Sequence, residues 1–158
     1  MNQRIGFGYD AHRFGGAGPV VLAGVSIDHD RGIEATSDGD LVAHAVCDAI
    51  LGAAAMGDIG MHFPSSEPQW HDVASLDLVS RCVAMAYDRG FELANADVTV
   101  IAQDVRIDPH RESMRVRLAE ALRVSLGQVS IKATTTDRLG WIGAGDGLAA
   151  MAVVSMQR

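Results

Sequence analysis

Positive charge is scarce in this chain. Lys and Arg number 13 against 20 Asp and Glu, the net charge is -7, and the basic residues gather into no stripe. A phosphate backbone or an anionic bilayer would be repelled by such a surface, so no nucleic acid and no membrane is expected as a partner. Cysteine is scarce too: Cys47 and Cys82 stand alone among apolar neighbours and make no disulfide scaffold, and a reducing cytoplasm is the expected location. No apolar run approaches the ~20 residues of a membrane helix. The strand-like run Arg4–Tyr9 is not preceded by the basic and apolar regions of a secretory leader, so none is expected. The expected partner is therefore small. If it is a polyphosphate, a chain this acidic must meet it with metal ions, helix N-termini or loop amides.

At 158 residues and 48% hydrophobic content the chain suffices for one buried core, and a single domain over 1–158 is expected. Strand patterns fall at Arg4–Tyr9, Val20–Ile27, Ala96–Ala102, Val129–Thr134 and Leu148–Met156, with Gly24 marking a bulge or bend in the second. Helical spacing covers Asp40–Met56, stopped by Gly57, and Ser75–Arg89, stopped by Gly90. A third helix is expected over Pro109–Val124, with Asp108 as its cap. This order predicts an α+β domain: a mixed β-sheet with helices on one face and a closing pair of strands. Leu148–Met156 is apolar and small on both faces, as suits a sheet whose second face packs against identical subunits. The loops Arg31–Gly39, Gly57–Asp72 and Thr134–Gly147 are long enough to be functional.

Asp10-Ala11-His12 closes the first strand pattern, and residues two apart on a strand point the same way. With His44 from the first helix, one carboxylate and two imidazoles form the ligand set of a catalytic metal that keeps a fourth position open. A turn-capping Asp and a core His are the plainer reading of the same residues. Ser37-Asp38-Gly39-Asp40 places a hydroxyl and amides at a helix N-terminus, where an anion can dock, although Asp38 and Asp40 would repel a phosphate without a cation between them. Gly57-Asp58-Ile59-Gly60 offers a carboxylate for a ribose diol or, as readily, an ordinary Asp-Gly turn. Lys132-Ala133-Thr134-Thr135-Thr136-Asp137 reads either as a strand end rich in β-branched residues or as a cradle for a diphosphate and its Mg²⁺.

These motifs resemble, in this order and along essentially the whole chain, the 2-C-methyl-D-erythritol 2,4-cyclodiphosphate synthase family. The resemblance rests on Gly8-Tyr9-Asp10-Ala11-His12, Ser37 to Asp40, His44, Gly57 to Gly60, Ala102-Gln103, Lys132 to Thr136 and the last Gly-rich loop. It implies a homotrimer with its sheets facing the three-fold axis and active sites between subunits. It also implies cyclisation of a cytidine-diphosphate-linked substrate with release of CMP. In that family pattern Asp10, His12 and His44 hold Zn²⁺ or another divalent transition metal, and Asp137 meets Mg²⁺ or Mn²⁺ bound with the diphosphate. Thr36 and Thr135 take the phosphate-positioning, catalytic places. Substrate contacts are implied for Asp10, His12, Thr36 and Ser37 at one end, for Asp58, Ile59 and Gly60 at the diol, and for Phe63, Ser65 and Glu67 on the methylerythritol side. Ala102, Arg106 and Asp108 are implied around cytosine, Thr134, Thr135, Thr136 and Asp137 around the diphosphate, and Trp141 as a further substrate contact.

The chain departs from the family pattern at Thr36, Ser65, Asp137 and Ala144, where His, Asp, Glu and Arg are common, and at Asp104-Val105-Arg106, where Ala-Pro-Lys is common. Two other chemistries fit the same triad: a nucleotide-binding trimer without catalysis, and a zinc phosphohydrolase that activates water. The reaction products separate all three.

Overall fold

The computed structural model describes residues 2–158. Its main sheet has five strands in the order β4-β1-β7-β5-β6. Strand β1 spans Gln3–Ala17, β4 Arg31–Ile33, β5 Glu92–Ile101, β6 Val129–Thr134 and β7 Gly147–Gln157. All neighbours are antiparallel except β5 and β6, which are parallel. The α+β expectation holds, with two corrections to connectivity. The last two strands do not pair with each other, because β7 inserts between β1 and β5 and leaves β6 at the edge. The expected strand Val20–Ile27 is a hairpin of β2 (Val20–Leu22) and β3 (Val25–Ile27). Ala23 and Gly24 between them have φ of 47° and 71°, the paired left-handed conformation of a two-residue hairpin turn.

Alternation decides which face is covered. On β1 the even positions Gly6 and Gly8 are buried, while Ile5, Phe7 and Tyr9 are exposed. On β7 Leu148, Ala150, Ala152, Val154 and Met156 are buried, while Met151 and Val153 stay 40% exposed on the face shared with Phe7 and Tyr9. The covered face carries α1 (Leu41–Ala53), with α3 (Ser75–Asp88) packed beside it and α4 (Arg111–Leu122) beside α3 and β6. A short helix, α2 (Ile59–His62), lies between the first two of these, and α5 (Gly140–Gly143) precedes β7. A Cβ at Gly6 or Gly8 would run into the backbone carbonyl of Ala49 or Ala45, so these two glycines let α1 lie directly on the strand. The opposite sheet face is covered by no helix and presents an apolar row of Ile5, Phe7, Tyr9, Met151 and Val153.

Three boundaries differ from those read in the sequence. Strand β1 continues eight residues past Tyr9, so Asp10 and His12 lie inside the strand rather than at its end. Helix α1 ends at Ala53, four residues before Gly57, with Ala55 in the left-handed region at φ 54°. Asp108 does not cap α4: it opens a 3-10 turn, Asp108–His110, that feeds the helix, and its carboxylate pairs with Arg111.

Candidate metal centre and flanking loops

Asp10 and His12 share the parity of Gly6 and Gly8, so their side chains project toward α1, and His44 on the first turn of that helix meets them. One Asp10 carboxylate oxygen lies 3.1 Å from His44 Nδ1 and 3.2 Å from His12 Nδ1. Ligand atoms of all three residues fall within 4.8 Å of one another. Tetrahedral ligands at bonds of ~2.0 Å sit ~3.3 Å apart, so the spacing fits a divalent ion such as Zn²⁺. His12 Nδ1 is buried and, despite its closeness to Asp10, lies out of line for a hydrogen bond, which leaves it with no partner among the described residues. A buried nitrogen without a partner is costly, and a metal would satisfy it. Burial pushes the Asp10 carboxyl up, but the two imidazoles outweigh burial and hold it at about 2. Burial pulls the His44 imidazole down, and the Asp10 carboxylate, assisted by Asp40 and Asp38, raises it above its ordinary value.

The turn before α1 faces inward, contrary to the expectation that Asp38 and Asp40 oppose a phosphate. Asp40 has no exposed surface: it caps α1 through Ala43 N at 3.1 Å and pins the β2–β3 turn through Ala23 N at 2.9 Å and Gly24 N at 2.7 Å. Burial pushes its carboxyl up to about 6 against those three donors. Asp38 accepts Asp40 N at 3.1 Å and Ser75 N at 2.9 Å. The Ser37 hydroxyl accepts Gly39 N at 3.2 Å and stands 3.3 Å from His44 Nε2, while Thr36 is exposed beside it.

Beyond α1, Asp58 takes the capping role that the sequence left open, accepting Met61 N at 3.0 Å with one carboxylate oxygen at the start of α2. Asp48 on α1 accepts Ile59 N at 2.8 Å and ties that turn to the helix that carries His44. Gly60 lies on the exposed side of the same turn. Phe63 packs edge-on against Trp70 at 4.9 Å between centroids, and Ser65 and Glu67 are exposed between them.

The remaining expected contacts lie at the far side of the sheet. Ala102 N donates to Thr134 O at 3.0 Å, extending the β5–β6 ladder, and Gln103 Oε1 accepts Arg138 N at 3.0 Å, so the two loops are joined. Asp137 and Arg138 both take left-handed φ, 53° and 63°, in a turn closed by Leu139 N to Thr136 O at 3.0 Å. Thr135 accepts Asp137 N at 3.2 Å and Thr136 donates to Leu139 O at 2.8 Å. Thr134, Thr135, Asp137, Arg106 and Asp108 are exposed, and Trp141 is 44% exposed. Strand register measures the gap: Asp10 pairs with Ala150, Ala150 with Val100, and Val100 with Ala133. Three strand spacings put the metal cluster and the Thr run ~14 Å apart in one chain. Ala150 and Val100 between them are buried under the helix layer.

The model of the YgbB family matches residues 3–157. The chain belongs to the YgbB family. It is similar to the 2-C-methyl-D-erythritol 2,4-cyclodiphosphate synthase of Xanthomonas axonopodis pv. citri, with 48% identity over 158 residues that cover 100% of this chain and 95% of that protein. The enzyme of the same name from Shewanella sp. strain W3-18-1 is 49% identical and covered to 98%. Among solved structures, a 2C-methyl-D-erythritol-2,4-cyclodiphosphate synthase in its CDP-bound form superposes with a TM-score of 0.90 at 31% identity, over 98% of this chain and 100% of that one. The CDP complex of Plasmodium falciparum IspF gives 0.85 at 29% identity, over 98% and 95%.

One residue of this YgbB-family site escaped the sequence reading. Ser75, taken only as the start of a helix, is fully buried and its hydroxyl stands 2.9 Å from His44 Nε2. Nothing local distinguishes it from any helix-opening Ser; its contact spans 31 residues of sequence.

Proposed function

We propose that this YgbB-family chain is a 2-C-methyl-D-erythritol 2,4-cyclodiphosphate synthase of the non-mevalonate isoprenoid pathway, working as a homotrimer. The observation that carries this reading is the Asp10, His12 and His44 cluster, complete and correctly spaced, in a chain that matches the family from residue 3 to 157. In the reaction, a 2-phosphate oxygen of 4-diphosphocytidyl-2-C-methyl-D-erythritol 2-phosphate attacks the β-phosphorus of the same molecule. The bond from that phosphorus to the oxygen bridging it to the α-phosphate breaks, and its electron pair leaves on CMP. The attacking phosphate is largely ionised near neutral pH, so no general base is needed. Zn²⁺ or another divalent transition ion at the triad, and Mg²⁺ or Mn²⁺ at Asp137, would supply the positive charge that this acidic chain lacks.

The protein's own task is alignment. Asp10, His12, Thr36 and Ser37 flank the 2-phosphate end, and the free oxygen of Asp58 accepts a diol hydroxyl above Gly60. Phe63 closes the methylerythritol side. Thr135 and Thr136 present hydroxyls to the diphosphate, and the backbone from Ala102 to Asp108 receives cytosine. Because the two groups of residues stand ~14 Å apart across buried strands of one chain, a compact substrate reaches both only if they come from neighbouring copies. The uncovered apolar row of Ile5, Phe7, Tyr9, Met151 and Val153 supports that assembly, since three copies closing about an axis would bury it. Phosphorus NMR of the incubated substrate tests the reaction. Equal amounts of CMP and the cyclic diphosphate are expected, whereas inorganic phosphate as the product would overturn the reading in favour of a hydrolase.

A further inference from the structure

We propose that Asp38 and Ser75 form a relay that sets the tautomer and ring orientation of His44, which makes Ser75 a positioning residue for the metal. The proposal rests on the metal-dependent reading above. His44 Nδ1 points at Asp10, and Nε2 points the other way, 2.9 Å from Ser75 Oγ. Ser75 has no exposed surface and sits at the first residue of α3, where both its polar groups turn to one carboxylate. Its hydroxyl donates to one oxygen of Asp38, and its backbone N–H donates to the other at 2.9 Å. A hydroxyl has a single proton. Once that proton is given to Asp38, Ser75 offers His44 only lone pairs, so the 2.9 Å hydrogen bond between them requires the ring proton on Nε2 in the neutral imidazole. Nδ1 is then left with a free pair facing Asp10 and the metal position. Ser37 Oγ lies farther off, 3.3 Å from the same Nε2. Metal-bound histidines commonly donate their second N–H to a carboxylate; here a buried serine is inserted between the two. The arrangement joins the loop before α1, α1 itself and the start of α3.

The test uses the full-length protein in four forms: wild type, Ser75→Ala, Ser75→Thr and Asp38→Asn. Zinc affinity is read by chelator competition, and folding is checked by circular dichroism. Ser75→Ala is expected to weaken zinc binding by about 10 to 100-fold, the usual effect of losing such a partner, with Ser75→Thr recovering most of it. Activity of Ser75→Ala should return on adding excess Zn²⁺, which a loss of catalytic chemistry would not allow. Nitrogen-15 NMR of the zinc-loaded wild type should find the His44 proton on Nε2. A folded Ser75→Ala protein that binds zinc within twofold of wild type overturns the relay. So does a wild-type His44 with its proton on Nδ1, a result that stands even if Ser75→Ala does not fold. Failure of the wild type to bind zinc at all would remove the functional reading and the relay together.

Discussion

The two ends of the proposed site are built differently. Around His44 the polar groups are turned inward and tied across the fold: Asp10 to His44, Ser75 to Asp38, Asp40 to the β2–β3 turn, Asp48 to α2. Around Thr135 the hydroxyls of Thr135 and Thr136 bond only to residues two or three apart, one tie from Gln103 to Arg138 joins the neighbouring loop, and Thr135 and the Asp137 carboxylate stand in solvent. The metal end is thus organised within one chain, while the end proposed for the diphosphate is left open to solvent. Organisation in advance is what a metal ion needs, because its ligand geometry tolerates little error, whereas a loop that closes on a flexible diphosphate can be completed by the ligand.

The largest losses are expected at the metal end. His44→Ala should abolish tight zinc binding and lower kcat/KM by at least ~10³-fold, read by metal analysis and steady-state kinetics. Gly8→Ala strikes the same end through packing. The added methyl meets the Ala45 carbonyl and lifts α1 from β1. Loss of about 3 kcal/mol of stability is expected in denaturant titration, together with weaker zinc binding, since His44 moves with α1. At the other end, Thr135→Ala should lower kcat by ~10²-fold while leaving stoichiometric zinc and the unfolding midpoint unchanged, which would show that the two ends fail separately. The smallest effect is expected at Thr36. Exposed and neutral, it lacks the charge that a protonated His would bring to a phosphate, so Thr36→His should hold activity or raise it by about 1 kcal/mol, measured as kcat/KM. A large loss in a folded variant would mean the pocket has been rebuilt around Thr.

What could be read from the sequence follows the same division. The i, i+2 spacing of Asp10 and His12 fixed their shared direction, and the small, apolar residues of Leu148–Met156 pointed to a second sheet face left free for packing. The α1 start was legible from its Asp40 cap and the α3 start from periodicity, both of which are local. The β2–β3 hairpin was not, because Ala23 at positive φ disguises a two-residue turn that Gly24 alone suggests. Asp108 was misread as a cap because a Pro after an Asp looks the same before a 3-10 turn as before an α-helix. The inward direction of Asp38 and Asp40, the position of β7 between β1 and β5, and the part played by Ser75 are all set by partners far away in the chain. No window of neighbouring residues contains them.

The claim that one site draws on two copies is tested most directly by mixing. His44→Ala and Thr135→Ala proteins, each nearly inactive alone, are unfolded together in equal amounts and refolded. If each site takes its metal end from one chain and its phosphate end from the next, random trimers contain roughly one intact site in four, and about a quarter of wild-type activity returns. Activity that stays at the level of the separate variants, from refolded assemblies shown to contain both chains, would place the whole site within a single chain and contradict the account.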